Sequence, residues 1–335
     1  MTSTAVDSGR IVIACASDEH YVRPLAAMLQ SVAENLHAER SAEVYVFQSG
    51  ISEKLQRDVS RSWPPDRLEA HWITADASSF AGLPLWGRMP VATYFKLAIP
   101  DLLPDSVAKA IWLDCDLIVM DDVAKLWDQD ISSAHAGAVQ DSVVPLVSSA
   151  CGIRFHQDLG IDPNAKYFNA GVMVVDVAAW RRDEIRRRAT EYLRRYHESV
   201  TFWDQEGLNA ALAGKWVEIG SGWNHNASIP GKSARGKATP SIVHFAGGLK
   251  PWSFRTAESL RSVYYEYLDR TAFAGWRPAP SVSGLALSLY ERSGLRSLVY
   301  PAENIGMRMI RRLSRRDFAA AGDAAPERVT REKQL

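Results

Sequence analysis

Residues 110–120 read AIWLDCDLIVM, an apolar run that two acidic residues interrupt. A run of this length that is rich in Ile, Leu and Val is typical of a buried strand. Because side chains two residues apart in a strand point to the same face, we expect Asp114 and Asp116 to project side by side from its end. Buried carboxylates are costly unless cationic groups meet them, and carboxylate oxygens suit Mg²⁺ or Mn²⁺. The alternative is a turn at the strand end with two solvated carboxylates.

A second pair of aspartates has the same spacing, Asp128 and Asp130 in WDQD. The D-x-D spacing alone is a weak indication, so the surrounding residues have to separate the two pairs. Only the first pair lies inside a hydrophobic run. We therefore expect the second pair to lie in a polar loop.

The composition is that of an ordinary globular chain: its 335 residues, 47% hydrophobic and 23% charged, allow one large α/β domain with an extension, or two domains. The formal net charge is zero, so bulk charge gives no support for a nucleic-acid partner, and we expect none. Three cysteines without C-x-x-C spacing favour a reducing compartment over a disulfide framework.

The first ten residues, MTSTAVDSGR, are polar and lack the apolar core of a signal peptide. No stretch approaches the roughly 18 apolar residues of a membrane-spanning helix. We therefore expect a cytoplasmic protein, in whole or attached to the inner face of a membrane.

Strands and helices alternate along the first part of the chain, which predicts a mostly parallel sheet covered on both faces by helices. Ligands of such sheets bind beyond the carboxyl ends of the strands, where the polar turn at residues 17–21 and the aspartates of residues 110–120 fall. The segments are predicted strands at 11–16, 44–47 and 68–73 and predicted helices at 24–36 and 52–60, the last with Ser52 as its N-cap.

Later segments carry further polar groups. Residues 89–103 are predicted to form a helix ending near Pro104, and the irregular residues 142–166 are typical of a functional loop. A short strand at 241–245 leads into HFAGGLKPW, residues 244–252. Glycines let backbone N–H groups approach an anion, lysine adds positive charge and histidine can complete a metal shell, so this stretch suits a diphosphate. The alternative is a tight turn after an edge strand.

Three common motifs do not occur: G-x-G-x-x-G, G-x-x-x-x-G-K-[ST] and G-x-S-x-G. Their absence argues against dehydrogenases, P-loop kinases and serine hydrolases.

Four separated motifs occur in one order, and the ordered set is far more specific than any single motif. Together they resemble the motifs of glycosyltransferase family 8, over roughly residues 11–268. The four are Ala16-x-Asp18-x-x-Tyr21, Asp114-x-Asp116, Phe168-Asn169-Ala170-Gly171-Val172 and His244-x-x-Gly247-x-x-Lys250-Pro251-Trp252.

The resemblance implies an α/β protein of the GT-A fold, with a single Rossmann-like, mostly parallel sheet flanked by helices in a catalytic domain of residues 1–269. It implies a retaining enzyme that moves glucose or galactose from a UDP-hexose to a glycan or glycolipid acceptor, in lipopolysaccharide or other surface polysaccharide synthesis. It also implies Mn²⁺, with Mg²⁺ as the alternative, held by Asp114, Asp116 and His244.

The resemblance assigns the remaining residues by their place in the motifs. Ala16, Asp18 and Tyr21 would hold uracil and ribose, with Tyr21 stacking on the base. Cys115 belongs to the donor-binding D-x-D stretch. The diphosphate would be bound by Gly247 and Lys250, and the sugar pocket would be lined by Asn169, Gly171 and the candidate catalytic residues Asp141, Asp204 and Gln205.

Retention of the anomeric configuration allows two mechanisms, front-face attack or a covalent intermediate. Gln205 would lie near the anomeric carbon. Because an uncharged amide is a poor nucleophile, we favour front-face attack with Asp204 and Gln205 orienting the sugar.

Two positions depart from the family pattern. His20 stands where an asparagine is common, and Lys96 stands where related bacterial enzymes often carry an arginine. Lysine can still meet a phosphate or a sugar hydroxyl, but it cannot form the forked pair of hydrogen bonds that arginine forms.

Residues 270–335 are expected to form a helical, basic extension. Residues 305–318, IGMRMIRRLSRRDF, can be drawn as a helix with apolar residues on one face and arginines on the other. Such a helix suits peripheral contact with an anionic membrane; the alternative is packing on the catalytic domain. Residues 319–335 are expected to be disordered.

Two other functions fit parts of the pattern. A metal-dependent nucleotidyl or phosphoryl transferase would use Asp114 and Asp116, but it leaves the Asn169 and His244 motifs without a shared purpose. A UDP-sugar-binding protein without turnover would keep the ligand set and tolerate the departures at His20 and Lys96.

Overall fold

A seven-stranded sheet forms the centre of the protein in the computed structural model, which describes residues 10–85, 89–227, 240–247, 250–252 and 258–278. Its strands, in spatial order, are β3 (Leu68–Thr74), β2 (Ala42–Ser49), β1 (Ile11–Asp18), β4 (Lys109–Leu113), β7 (Phe168–Asp176), β6 (Ala136–Gln140) and β8 (Trp216–Glu218). The first four run parallel, β7 is antiparallel to both its neighbours, and β8 is parallel to β6. The expectation of a mostly parallel α/β sheet is confirmed.

A second, three-stranded sheet consists of β5 (Leu117–Val119), β10 (Ile242–His244) and β9 (His225–Asn226). The interpretation of residues 110–120 as one strand is therefore wrong, because the stretch supplies β4 to the large sheet and β5 to the small one. Between them the chain bends at residues 114–116. A continuous strand would carry two carboxylates through the apolar layers, whereas the bend brings them to the junction of the sheets.

The helices fill the connections between these strands. They are α1 (Val22–Asn35), α2 (Glu53–Ser60), α3 (Ile99–Leu102), α4 (Ala124–Trp127), α5 (Val177–Arg182), α6 (Ile185–Arg195), α7 (Trp203–Ala211) and α8 (Glu258–Leu268). The Ser52 side chain accepts a hydrogen bond from the Leu55 N–H, as expected of the N-cap of α2. Asp128 and Asp130 are exposed and lie outside the strands, in agreement with the expected polar loop.

The segment predicted as one helix at residues 89–103 is only partly α-helical. A 3-10 helix spans Val91–Ala98 and passes directly into α3. Pro100 explains the break, because it has no N–H to donate to the Lys96 carbonyl and its ring would crowd that carbonyl in a continuous α-helix.

Apolar layers cover both faces of the large sheet. In β1, Ile13 and Cys15 face the layer that contains α1, whereas Ala14 faces the layer that contains Trp112 and Phe168. Each large side chain buried in this way contributes about 1.5–3 kcal/mol. The sheet is thus held between two apolar layers.

Residues that follow α8 pack against α1. Arg23 lies over the rings of Phe273 and Trp276, at 5.9 and 4.6 Å from their centroids. The compact unit ends at Pro280. The predicted basic helix at 305–318 and the tail at 319–335 lie outside the described residues. Across the described segments, none of the helices has the length and apolarity needed to cross a bilayer.

Candidate active site

The bend at residues 114–116 is fixed at both ends by backbone hydrogen bonds. The Asp114 N–H donates to the Gly171 carbonyl at 2.8 Å, and the Asp116 carbonyl accepts from the Phe245 N–H at 2.9 Å. The first bond continues the pairing of β4 with β7, and the second continues the pairing of β5 with β10. The two aspartates are therefore held where the two sheets meet.

Asp114, Asp116 and His244 converge at this junction, with one ligand atom of each lying within 4.8 Å of the others. His244 is buried and the Asp116 side chain is 12% exposed, and the two approach at 3.3 Å between Oδ1 and Nε2. The Asp114 side chain is 30% exposed and opens the cluster to solvent. Two carboxylates and one imidazole are a donor set that suits Mn²⁺ or Mg²⁺. The three residues fit a divalent cation, which the family resemblance implies.

Lys250 adds a positive charge beside this cluster. Its ammonium pairs with Asp116 Oδ2 and donates to the Phe245 carbonyl at 2.9 Å. Burial alone would raise the pKa of Asp116, but the Lys250 ammonium holds that pKa well below its usual range. Asp116 is therefore ionised throughout the physiological pH range.

Lys96 lies beneath the site, 4% exposed, rather than on its surface. Its ammonium contacts Asp114 Oδ1 at 3.1 Å, Asp204 Oδ2 at 2.9 Å and the Ala170 carbonyl at 3.0 Å. Burial opposes its charge, yet the two carboxylates raise the pKa of Lys96 above its ordinary value. Because three protein oxygens already occupy an ammonium with three hydrogens, the expected contact of Lys96 with a phosphate or sugar hydroxyl is not what the structure provides.

Asp141, Asn169 and Gln205, three residues predicted to line the sugar pocket, form one hydrogen-bonded group. Asp141 Oδ2 accepts from Asn169 Nδ2 at 3.0 Å and from Gln205 Nε2 at 3.2 Å. Asp141 Oδ1 is held by the N–H groups of Val143 and Val144 at 2.7 and 2.8 Å. These last contacts tie the pocket to the irregular segment at 142–166.

Asp204 and Gln205 are positioned by the first turn of α7. Asp204 is buried and accepts from Thr93 Oγ1 at 2.7 Å as well as from Lys96. Gln205 Oε1 accepts from the Ala170 N–H at 3.1 Å. Trp203, which begins the helix, has a φ of 37°, a strained value for an aromatic residue. The strained residue directly precedes two predicted site residues, Asp204 and Gln205.

The predicted nucleotide turn lies at the end of β1. Asp18 Oδ1 accepts from the N–H groups of His20 and Tyr21 at 3.0 and 3.1 Å and so caps the short 3-10 helix Glu19–Tyr21. Tyr21 meets Trp252 edge-on, with ring centroids 5.7 Å apart. Burial and then the nearby carboxylates raise the pKa of Tyr21, which keeps its phenol neutral.

Cys115 faces inward, in contrast to its assignment to the donor-binding stretch. Its thiol donates to the Ala16 carbonyl at 3.0 Å. The hydrogen bond with Cys15 and burial raise the pKa of Cys115 well above its usual value, so the thiol is neutral. The side chain holds the bend against β1.

The two glycines of the motifs serve different ends. A Cβ at Gly171 would lie 2.2 Å from Cε1 of His244, so the absence of a side chain at Gly171 leaves room for the imidazole. Gly247 has a φ of 79°, a conformation that favours glycine and that presents the backbone in the turn after His244.

Three residues at the site are not predicted by the sequence: Thr93, Trp112 and Asn224. Trp112 Nε1 donates to Asp114 Oδ1 at 2.8 Å. Asn224 hydrogen-bonds to both Asn169 and His244. Trp112 could have been found from its position two residues before Asp114 in β4. Thr93 and Asn224 belong to no motif, and no spacing signalled them.

The family comparison covers most of the chain, since the sequence profile described as Glycosyl transferase family 8 matches residues 12–256. General stress protein A of Bacillus subtilis is 28% identical over 275 residues, which cover 78% of this chain and 93% of that protein. Glycosyltransferase GlyF of Streptococcus pneumoniae is 23% identical over 263 residues, covering 77% of this chain and 61% of GlyF. The crystal structure of galactosyltransferase LgtC in complex with donor and acceptor sugar analogs has a TM-score of 0.68 at 24% identity, covering 78% of this chain and 96% of LgtC.

The mixed sheet, with acidic residues where β4 gives way to β5, has the fold of the GT-A glycosyltransferases. The chain belongs to glycosyltransferase family 8. A nucleotide sugar as donor and a glycan as acceptor are the substrate classes that this membership implies.

Gly171→Ala is expected to displace the His244 ring and to weaken divalent-cation binding by at least about tenfold. Titration of the variant with Mn²⁺, followed by the electron paramagnetic resonance of the free ion, measures this. Gly222→Ala is the matched control, because its added Cβ would meet nothing closer than 3.7 Å. Unchanged Mn²⁺ affinity in Gly171→Ala would show that the imidazole does not take part.

Lys96→Met is expected to lower the free energy of unfolding by about 3–5 kcal/mol, because it leaves Asp114 and Asp204 without their shared cation. Burial already raises the pKa of Asp204, and loss of Lys96 raises it further. The folded variant therefore binds a proton more tightly than the unfolded chain, so the loss is smallest at acidic pH and grows as the pH rises through the folded pKa.

Urea unfolding of Lys96→Met at acidic and at neutral pH tests this. Lys109→Met is the control, since Lys109 is a partly buried lysine whose ammonium donates to the Gln129 carbonyl. A pH-independent loss in Lys96→Met, or one no larger than in the control, would contradict the role of Lys96 as the shared cation.

Proposed function

We propose that this protein transfers a hexose, glucose or galactose, from a UDP-hexose to a glycan or glycolipid acceptor with retention of the anomeric configuration. The observation that carries the proposal is the convergence of Asp114, Asp116 and His244 within 4.8 Å, in a chain that belongs to glycosyltransferase family 8. The sugar-pocket group of Asp141, Asn169 and Gln205 adjoins this cluster through Asn169 and Asn224. One cleft thus offers groups for both halves of a sugar nucleotide.

Asp114, Asp116 and His244 would hold a Mn²⁺ or Mg²⁺ ion. When bound, such an ion acts as a Lewis acid that stabilises the negative charge growing on the departing UDP.

The chain's own residues would bind and orient the donor around that charge. Lys250, beside Asp116, provides a cation for the diphosphate, and the backbone at Gly247 can approach its oxygens. Tyr21, neutral and close to Trp252, offers a ring on which uracil can stack. The proposed donor therefore lies along the carboxyl ends of β1 and β4.

Gln205 and Asp204 are proposed to orient the sugar rather than to attack it. The Gln205 amide is bonded at both ends, to Asp141 and to the Ala170 N–H. Both oxygens of Asp204 have protein partners, Thr93 and Lys96. Groups held in this way are suited to positioning, so we favour attack by the acceptor on the face from which UDP departs.

The acceptor is proposed to approach along the segment at 142–166, which begins beside Asp141 and exposes Val143 and Leu159. A role in lipopolysaccharide or other surface polysaccharide synthesis would suit this arrangement. We propose a cytoplasmic location with peripheral contact to the membrane. Binding of the full chain to anionic vesicles, compared with a chain ending at Pro278, tests the contribution of the residues beyond it.

Incubation with UDP-glucose or UDP-galactose and Mn²⁺, followed by measurement of UDP release, tests the central proposal. We expect one donor to be turned over, even by slow hydrolysis, and Asp116→Ala to reduce the rate by about 10²–10³. Asp128→Ala, in the second D-x-D pair, should leave the rate unchanged.

The outcomes of this assay separate the alternatives. Tight UDP binding without release from any sugar nucleotide would indicate a binding protein, and release of UMP would indicate a nucleotidyl or phosphoryl transferase. Equal rates for Asp116→Ala and the native protein would refute the metal assignment.

Lys250→Met is expected to separate nucleotide binding from cation binding. Lys250 pairs with Asp116, so it competes with a cation for that carboxylate when no nucleotide is present. The variant should bind Mn²⁺ more tightly than the native protein in the absence of UDP, yet bind UDP more weakly in its presence. Calorimetric titrations with Mn²⁺, alone and with UDP, measure both changes, and weaker binding of Mn²⁺ alone would contradict the competition.

A further inference from the structure

Asn224 links the sugar-pocket group to the imidazole of His244. It ends the 3-10 helix Ser221–Asn224 and directly precedes β9, which pairs with the strand of His244. Its side chain is 8% exposed, with Nδ2 donating to Asn169 Oδ1 at 2.9 Å and Oδ1 lying 2.8 Å from His244 Nδ1.

The direction of these hydrogen bonds is determined by groups whose roles cannot be reversed. The Asp141 carboxylate accepts from Asn169, and the Gly171 N–H donates to Asn169 at 3.0 Å. Between an obligatory acceptor and an obligatory donor, the Asn169 amide has only one orientation, with Nδ2 towards Asp141 and Oδ1 towards Gly171.

The orientation of the Asn169 amide in turn determines the hydrogen bonds of Asn224 and His244. Since Asn169 presents Oδ1, Asn224 must present its NH₂ group to it and its own Oδ1 to His244. His244 Nδ1 must then carry the hydrogen that this oxygen accepts. In the neutral imidazole, Nε2 keeps a lone pair, and it faces the Asp116 carboxylate at 3.3 Å.

A lone pair and a carboxylate that face each other at this distance are suited to hold a cation between them. The position of the ring is fixed on a second side by Gly171, whose missing Cβ leaves the space that Cε1 and Nδ1 of His244 fill. The ring is therefore defined both in place and in tautomer before any ligand arrives.

We propose that Asn224 is a positioning residue that fixes His244 in the Nδ1–H tautomer and so directs Nε2 towards the divalent-cation site. The tautomer follows from the hydrogen bonds alone, and only its consequence for cation binding rests on the proposed function.

The test compares Asn224→Leu, which keeps most of the volume but accepts no hydrogen bond, with Asn224→Asp, whose carboxylate can still accept from Nδ1. Nitrogen-15 NMR of the metal-free proteins in alkaline buffer reports which ring nitrogen carries the hydrogen, and His244→Gln identifies the signal. We expect the Nδ1–H form in the native protein and in Asn224→Asp, and its loss in Asn224→Leu. Asn224→Ala serves in place of Asn224→Leu if thermal unfolding shows that the leucine variant does not fold.

Mn²⁺ affinity provides the second measurement. Asn224→Leu should weaken binding about 10–100-fold, and Asn224→Asp should bind more tightly than Asn224→Leu. Asn35→Ala is the control, because the Asn35 side chain also hydrogen-bonds within the protein, to Ser31, Val119 and Tyr267, but not to this group.

Each outcome decides one of the two claims. A native protein with the hydrogen on Nε2, or an Asn224→Leu variant that keeps both the tautomer and the affinity, would overturn the role of Asn224. If native Nδ1–H depends on Asn224 but Mn²⁺ does not bind, the positioning of His244 stands and the metal assignment in the proposed function fails.

Discussion

The passage of the chain from one sheet to another at residues 114–116 is the constraint on which the site depends. Two backbone hydrogen bonds, to Gly171 on one side and from Phe245 on the other, fix both ends of the bend. Because each bond extends a strand pairing, the position of the two aspartates is as rigid as the sheets themselves. The bend also explains how an apolar sequence tolerates two carboxylates, since neither has to lie inside a layer of the core.

Charge balance around the bend accounts for the basic residues. The carboxylates of Asp114 and Asp204 share the Lys96 ammonium, and Asp116 pairs with Lys250. Burial disfavours each of these charges. Each is stabilised by its oppositely charged partner, which the fold holds in place. Lys96 connects the carboxylate at the bend with the carboxylate at the start of α7.

The resemblance of ordered motifs located the family and most of the site, but the roles of individual residues needed the fold. Cys115 and Lys96 lie at the predicted place, yet their side chains face protein rather than the open cleft. Gly171 serves the packing of His244. These differences have one cause: a motif records that a residue type is required at a position, whereas the direction of its side chain depends on strands and helices distant in sequence.

Apolar runs that alternate with helical segments were enough to predict the class of fold. The sequence also identified Asp114 and Asp116 as candidate site residues, because carboxylates inside an apolar run are costly to bury. It also determined that Ser52 begins a helix, since a cap acts within one turn. The tertiary structure was needed to show that residues 110–120 divide between two sheets and that Asn224 and Thr93 belong to the site. Those features arise from contacts between segments that are distant in sequence, as between β5 and β10, and no local pattern encodes which distant strand a short apolar run will meet.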